Sequence, residues 1–89
     1  MPTISMFYGI LIALFFRNDV QHKKPHVHAR YQSYKAAIAL DDGSVLAGDL
    51  SPRQLRMVQV WIDIHREELL ADWELAINGE EPYKIAPLQ

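Results

Sequence analysis

The sequence predicts an α+β fold: a four-stranded, mainly antiparallel sheet followed by a C-terminal helical hairpin or kinked helix packed on one face. Three observations lead to this prediction. Short apolar or alternating runs, separated by turn residues, fill the chain up to residue 50, as expected for a series of short strands. Ser51-Pro52 is a helix start signal. From Leu55 to Ala76, apolar residues recur at steps of three and four, which is the helical period.

Four strands are predicted in the first part of the chain. Residues 10–16 (ILIALFF) are β-branched or aromatic at most positions and too few for a typical helix, and Gly9 indicates a bend before them. Residues 26–31 (HVHARY) alternate polar and apolar side chains, the pattern of a half-buried strand. The other two strands, residues 34–40 and 45–50, flank a hairpin loop with a glycine, Asp41-Asp42-Gly43-Ser44.

A helical region is predicted over residues 52–78. Ser51 is a favoured N-cap residue, Pro52 a favoured first helical residue, and Gly79 is placed as a C-cap glycine. One straight helix of this length would span about 40 Å, more than the expected width of so small a domain. We therefore expect a break near His65–Glu67, followed by an extended tail over residues 80–89.

Length and composition indicate one domain, residues 1–89, with enough apolar residues (49%) to form a core. There are no cysteines, which excludes disulfides and thiolate metal sites and fits a reducing cytoplasm. The apolar run Met6–Phe16 is too short to span a bilayer and lacks the features of a signal peptide. We expect a cytoplasmic protein without a membrane segment.

Charge is divided unevenly along the chain. Residues 1–40 hold five basic residues and one acidic residue, whereas residues 41–89 hold four basic and ten acidic residues. The stretch HKKPHVHARY, residues 22–31, lies in the basic part. A basic surface attracts phosphates, although a chain of this size can also acquire such an imbalance by chance.

The strongest candidate for chemistry is the group His26, His28 and Arg30, which the alternation places on one face of a strand. Histidine exchanges protons near neutral pH, and a nearby cation can stabilise a phosphate transition state. Metal-independent ribonuclease-like activity is the leading enzymatic hypothesis. Tyr31 would lie nearby on the opposite face, and His65 could join only if the helix packs on the histidine face.

Two other interpretations of this motif stay open. Histidines two residues apart on a strand can coordinate zinc or copper, but a third ligand is not evident, so no metal is predicted. Alternating polar residues also describe an ordinary solvent-facing strand. Likewise, a lone His65 within an apolar helical stripe is typical of a hydrogen-bonded core residue. No glycine-rich phosphate loop or nucleophile elbow occurs, and no cofactor is predicted.

The chain resembles the bacterial domain of unknown function 4160 family over nearly its whole length. The most specific segments are Pro25-His26-x-His28 and the helical pattern from Trp61 through HREEL, residues 65–69, to Trp73. This sequence has Arg30 where an acidic residue is frequent in the family, and Ala13-Leu14 where the strand is often more polar. The first departure weakens any scheme in which an acid two residues after His28 binds metal or orients it.

The resemblance implies a function in toxin–antitoxin modules. Such proteins look like the toxin-type component, held inactive by a small protein encoded by an adjacent gene. The first hypothesis is therefore a toxin-like protein that acts on RNA or a nucleotide-bearing target through His26, His28, Arg30 and Tyr31, with His65 as a further candidate. The alternative is a non-catalytic binding module, antitoxin or regulator, that uses the same face for interaction. Homo-oligomerisation is open in both.

Overall fold

Five antiparallel strands and two helices make up the computed structural model, which describes residues 3–14 and 24–89. The strands are β1 (Thr3–Phe7), β2 (Ile10–Ala13), β3 (His26–Tyr31), β4 (Tyr34–Ala39) and β5 (Val45–Asp49), and the helices are α1 (Pro52–Ile64) and α2 (Arg66–Ile77). Each strand pairs with the next one in the chain, so the sheet order is β1-β2-β3-β4-β5. The predicted α+β class with an antiparallel sheet is confirmed.

The prediction of four strands is wrong, because β1 was missed. The β1–β2 hairpin turns at Tyr8 and Gly9, which both have positive φ (49° and 79°), and pairs Phe7 with Ile10. Such two-residue turns usually carry Asn, Asp or Gly at the first central position. Tyrosine there gives no turn signal, so the apolar residues before Gly9 were not recognised as a separate strand.

The other strand boundaries agree closely with prediction. β3 has the predicted bounds, while β4 and β5 each end one residue earlier than expected. β2 ends at Ala13, whereas the prediction continued to residue 16. Residues 15–23 lie outside the described residues.

The helical region breaks at His65, within the predicted interval. The longest dimension of the protein is 33 Å, which is shorter than one uninterrupted helix over residues 52–78 would be. Ser51 is the N-cap residue, but its hydroxyl bonds the Gln54 side chain instead of a backbone amide. At the other end, Gly79 (φ 79°) and Glu80 donate to the carbonyls of Ala76 and Leu75, the hydrogen bonds of a Schellman motif.

The core lies between α1 and one face of the sheet. Val27 and Ala29 of β3 point to this face, together with buried residues from β1, β2 and β4. α1 covers them with Val58, Trp61 and Ile62, all fully buried, and the Trp61 ring lies 5.3 Å from that of Phe7 between centroids. Because side chains alternate along a strand, His26, His28 and Arg30 project from the other face.

α2 and the C-terminal tail close one end and one edge of the sheet. Arg66 Nε donates to the Leu40 carbonyl at 2.9 Å, just after the end of β4. The tail has no helix or strand, as predicted, and runs beside β1, where Ile85 N donates to the Ile4 carbonyl at 2.8 Å. Trp61 Nε1 holds the tail by donating to the Ala86 carbonyl. Within residues 3–14 and 24–89, no helix is long and apolar enough to cross a membrane.

Asp72 of α2 is buried, whereas the acidic residues Glu67, Glu68 and Glu74 of the same helix are exposed. Its side chain is 2% exposed, and Oδ1 accepts a hydrogen bond from the Tyr83 backbone amide at 3.0 Å. Oδ2 has no hydrogen-bond partner among the described residues. Burial raises the pKa of the Asp72 carboxyl, and the charge of Glu68 adds to this, against the hydrogen bond from Tyr83.

This raised pKa predicts how stability depends on pH. Between the ordinary aspartate value of about 4 and the raised pKa of Asp72, the folded state binds more protons than the unfolded state. The contribution of Asp72 to the free energy of unfolding therefore falls as pH rises through this window and is constant above it. Asp72→Asn keeps an acceptor for Tyr83 N–H and cannot ionise, so we expect this contribution to disappear.

The measurement is urea unfolding of both proteins from about pH 4 to pH 7. The stability of Asp72→Asn relative to the parent should increase with pH and then level off. The free energies of unfolding of the two proteins must be subtracted at each pH. Hydrogen bonds from Ser44 lower the pKa of Asp42 in both proteins, which makes the stability of each rise with pH and would mask the effect of Asp72. A difference that is independent of pH would show that Asp72 titrates normally in the folded protein.

Candidate functional site

β3 presents the predicted site residues on both sides of the sheet. His26, His28 and Arg30 lie on the face opposite the core, as the alternation predicted, and Tyr31 packs against the core cluster on the other face. Tyr31 therefore does not share a surface with the two histidines. The chemistry of the candidate site has to come from residues on the histidine face.

His26 is built into the junction between the sheet and α2. It is 2% exposed, and its ring centroid is 5.1 Å from that of Trp73 and 5.1 Å from that of His28. Nδ1 is 2.8 Å from the Lys24 carbonyl oxygen. Because a carbonyl oxygen only accepts, Nδ1 must carry a proton and donate it. These contacts fix the orientation of the His26 ring, so His26 is suited to position His28.

His28 lines a cavity, and its cross-strand partners on both adjacent strands are small. The register pairs it with Ala13 of β2 and Ala37 of β4. The cavity is half-closed, has a volume of about 290 Å³ and is lined by Thr3, Leu11, Ala13, His28, Ala29, Arg30 and Lys35. Of the two predicted histidines, His28 is the one that lines this cavity.

Arg30 and Lys35 place two positive charges beside each other in the cavity. They are direct cross-strand partners in the β3–β4 hairpin, an arrangement in which like charges repel. Neither forms an ion pair within residues 3–14 and 24–89. Asp49 is the partner of Lys35 on β5 and lies outside the cavity lining. This pair of cations makes the cavity suited to an anion.

Lys35 is a site residue that the sequence analysis missed. The two-residue turn at Gln32-Ser33 pairs Tyr31 with Tyr34 and therefore Arg30 with Lys35. Both flanking strands were predicted with these bounds at the turn, residues 31 and 34. Continuing the register by one pair would have found Lys35.

His65 lies elsewhere, between the two helices. Its Nδ1 is 2.6 Å from Glu68 Oε1, and its ring centroid is 5.6 Å from that of Trp61. Trp61 packs in the core on the face opposite His28. α1 therefore covers the core face, and the condition under which His65 could join the histidine face is not met.

No third metal ligand lies beside His26 and His28 in the described parts of the chain. Among residues 3–14 and 24–89, no three His, Asp or Glu side chains are arranged to hold a metal ion. His26 and His28 meet edge to face, with an interplanar angle of 69°. The site can hold an anion with Arg30 and Lys35, and His28 can exchange a proton beside it.

Comparison with known proteins gives one match. A family model described as a domain of unknown function (DUF4160) matches residues 9–74. The matched segment includes β2 to β5, α1 and most of α2, and thus most of the cavity lining, while β1 and the tail lie outside it. No curated protein and no solved structure matches the chain.

Proposed function

The chain belongs to the family described as a domain of unknown function (DUF4160), and we propose that it is the toxin-like component of a bacterial type II toxin–antitoxin module. It acts on RNA in the cytoplasm through the cavity of His28, Arg30 and Lys35. A small protein encoded by an adjacent gene neutralises it. The family resemblance suggests the biological role, and the cavity suggests the target.

The observation that supports an RNA target is a pair of cations beside a histidine, neither of which forms an ion pair within residues 3–14 and 24–89. Phosphate diesters are anionic, and Arg and Lys are the side chains that bind them most often. The Asp49 carboxylate next to Lys35 reduces the positive charge on one side. On the side of β5, the positive charge of the cavity therefore ends at Lys35.

The reaction that fits this site is metal-independent RNA cleavage. The 2′-oxygen attacks its own 3′-phosphorus, the bond to the 5′-oxygen breaks, and a 2′,3′-cyclic phosphate and a 5′-hydroxyl result. His28 takes the proton from the 2′-hydroxyl, and a water or Lys35 supplies the proton that the 5′-oxygen needs. Arg30 and Lys35 stabilise the negative charge on phosphorus, and His26 positions His28.

A non-catalytic binding module is the second candidate, favoured by the burial of His26. Acid–base catalysis of RNA cleavage commonly needs two proton-transfer groups, and only His28 of the predicted histidines lines the cavity. In this alternative the same cavity binds an anionic partner without chemistry, and the protein is an antitoxin or a regulator.

Expression in bacteria separates the two candidates. We expect growth arrest when the chain is expressed alone, relief when the adjacent gene is co-expressed, and loss of arrest in His28→Ala and in Arg30→Gln. Arg56→Gln is the matched control, because Arg56 is an exposed arginine of α1 outside the cavity. Arrest that persists in folded His28→Ala would exclude the catalytic scheme, and absence of arrest in the parent would exclude a toxin.

A further inference from the structure

We infer that the cavity binds one unpaired nucleotide as a phosphate monoester, with the phosphate between Arg30 and Lys35 and the nucleoside against His28. This inference deepens the proposed function, on whose site it rests, by naming the chemical class of the ligand. It predicts a preference for a single nucleotide or a phosphorylated strand end over duplex RNA.

The two cations select a phosphate monoester over a singly charged anion. Cross-strand neighbours have Cβ atoms about 4.5–5.5 Å apart, so the head groups of Arg30 and Lys35 can reach the same phosphate. The guanidinium fork matches two phosphate oxygens, and the ammonium contributes a third contact. A monoester carries close to two negative charges near neutral pH, which balances both cations. A carboxylate carries one, and a phosphate diester also carries one until the 2′-oxygen attacks it, when the phosphorane of the cleavage proposed above reaches two.

The volume of the cavity limits the ligand to about one nucleotide. Small-molecule sites usually occupy about 300–1,000 Å³, and this cavity, at about 290 Å³, is at the lower end. It is half-closed, so a duplex cannot enter it. Ala13 and His28 are cross-strand partners that both line the cavity, and a base can stack on the His28 ring as bases do on other aromatic side chains. Leu11 and Ala13 supply an apolar wall.

Titration calorimetry with defined probes tests the inference. We expect adenosine 5′-monophosphate to bind more tightly than inorganic phosphate and than adenosine, by about tenfold or more in each case. A short single strand with a 5′-phosphate should bind, and the same strand with a 5′-hydroxyl and a blunt duplex should bind at least tenfold more weakly. Binding of the nucleotide but not of the phosphorylated strand would assign a free mononucleotide as the ligand.

Substitutions locate the ligand within the cavity. Arg30→Gln and Lys35→Gln should each weaken nucleotide binding by about tenfold or more, and Arg56→Gln should leave it unchanged. Ala13→Leu should weaken binding of the nucleotide far more than binding of inorganic phosphate, because the added side chain occupies the space of the nucleoside. Circular dichroism checks folding, and Ala13→Val is the smaller replacement if the leucine variant does not fold.

The results also distinguish this inference from the proposed function. Equal binding of phosphate and nucleotide, equal binding of adenosine and nucleotide, or no binding of the nucleotide at millimolar concentration would overturn the inference. Growth arrest without nucleotide binding would overturn the inference and leave the toxin role standing. Nucleotide binding without growth arrest would support the inference and overturn the toxin role.

Discussion

Gly48→Ala is expected to lower the free energy of unfolding by about 2–4 kcal/mol, as expected when a change is sterically incompatible with the native backbone. Gly48 of β5 has φ 72°, in the left-handed region that favours glycine. A Cβ at this position would lie 2.1 Å from the Lys35 carbonyl oxygen, far inside van der Waals contact. This oxygen belongs to the backbone of β4, so the two strands must separate to accommodate a methyl group.

Gly79→Ala is the matched control, because it shares the backbone conformation without the close contact. Gly79 has φ 79°, and a Cβ there would meet nothing within 4 Å. The free energy of unfolding of Gly79→Ala should fall only by the cost of a left-handed backbone at a residue with a side chain, about 1–2 kcal/mol. Urea unfolding followed by far-ultraviolet circular dichroism measures both variants. Equal losses in the two would mean that β5 does not approach β4 at Lys35 as closely as described.

Gly48→Ala should also weaken anion binding, because the contact it disturbs involves the backbone of Lys35. Lys35 supplies one of the two cations of the cavity. A shift of its backbone moves the ammonium group relative to Arg30. Gly79 follows α2 and lies outside the cavity lining, so Gly79→Ala should bind adenosine 5′-monophosphate as the parent does.

The order of most elements could be predicted from sequence because their signals are local. The period-two alternation of HVHARY gave β3 with its correct ends, and Ser51-Pro52 gave the start of α1. β1 was missed because its hairpin uses Tyr8 at positive φ, which a sequence pattern reads as an apolar strand residue. The close approach of Gly48 to the Lys35 carbonyl could not be predicted either, since it depends on how β5 pairs with β4.

The candidate site was predictable only where it depends on alternation within one strand. Alternation places His28 and Arg30 on one face, and the hairpin register adds Lys35. The burial of His26 depends on Trp73, which comes from α2, far along the chain. The separation of His65 from the site depends on which face α1 covers. Tertiary packing decides both the burial of His26 and the position of His65, and no local sequence pattern predicts tertiary packing.

Truncation should show that the two histidines of the Pro-His-x-His motif have different roles. His26→Ala should lower the free energy of unfolding by about 2–5 kcal/mol, the range for a large buried side chain cut to alanine. The variant loses the contacts of the ring with Trp73 and His28 and the hydrogen bond from Nδ1 to the Lys24 carbonyl. His28→Ala should lower stability less than His26→Ala does, because His28 is half-buried and lines the cavity, whereas His26 is 2% exposed.

Two further substitutions separate the packing of His26 from its hydrogen bond. His26→Asn retains a donor that can reach the Lys24 carbonyl but lacks the ring, and His26→Phe retains a ring against Trp73 but lacks the donor. Each should be more stable than His26→Ala. If His26 positions His28, nucleotide affinity should recover with the ring in His26→Phe, whereas His28→Ala should lose that affinity while remaining fully folded. The opposite result, stability loss in His28→Ala and none in His26→Ala, would show that His28 is the packed histidine and would remove it from the site.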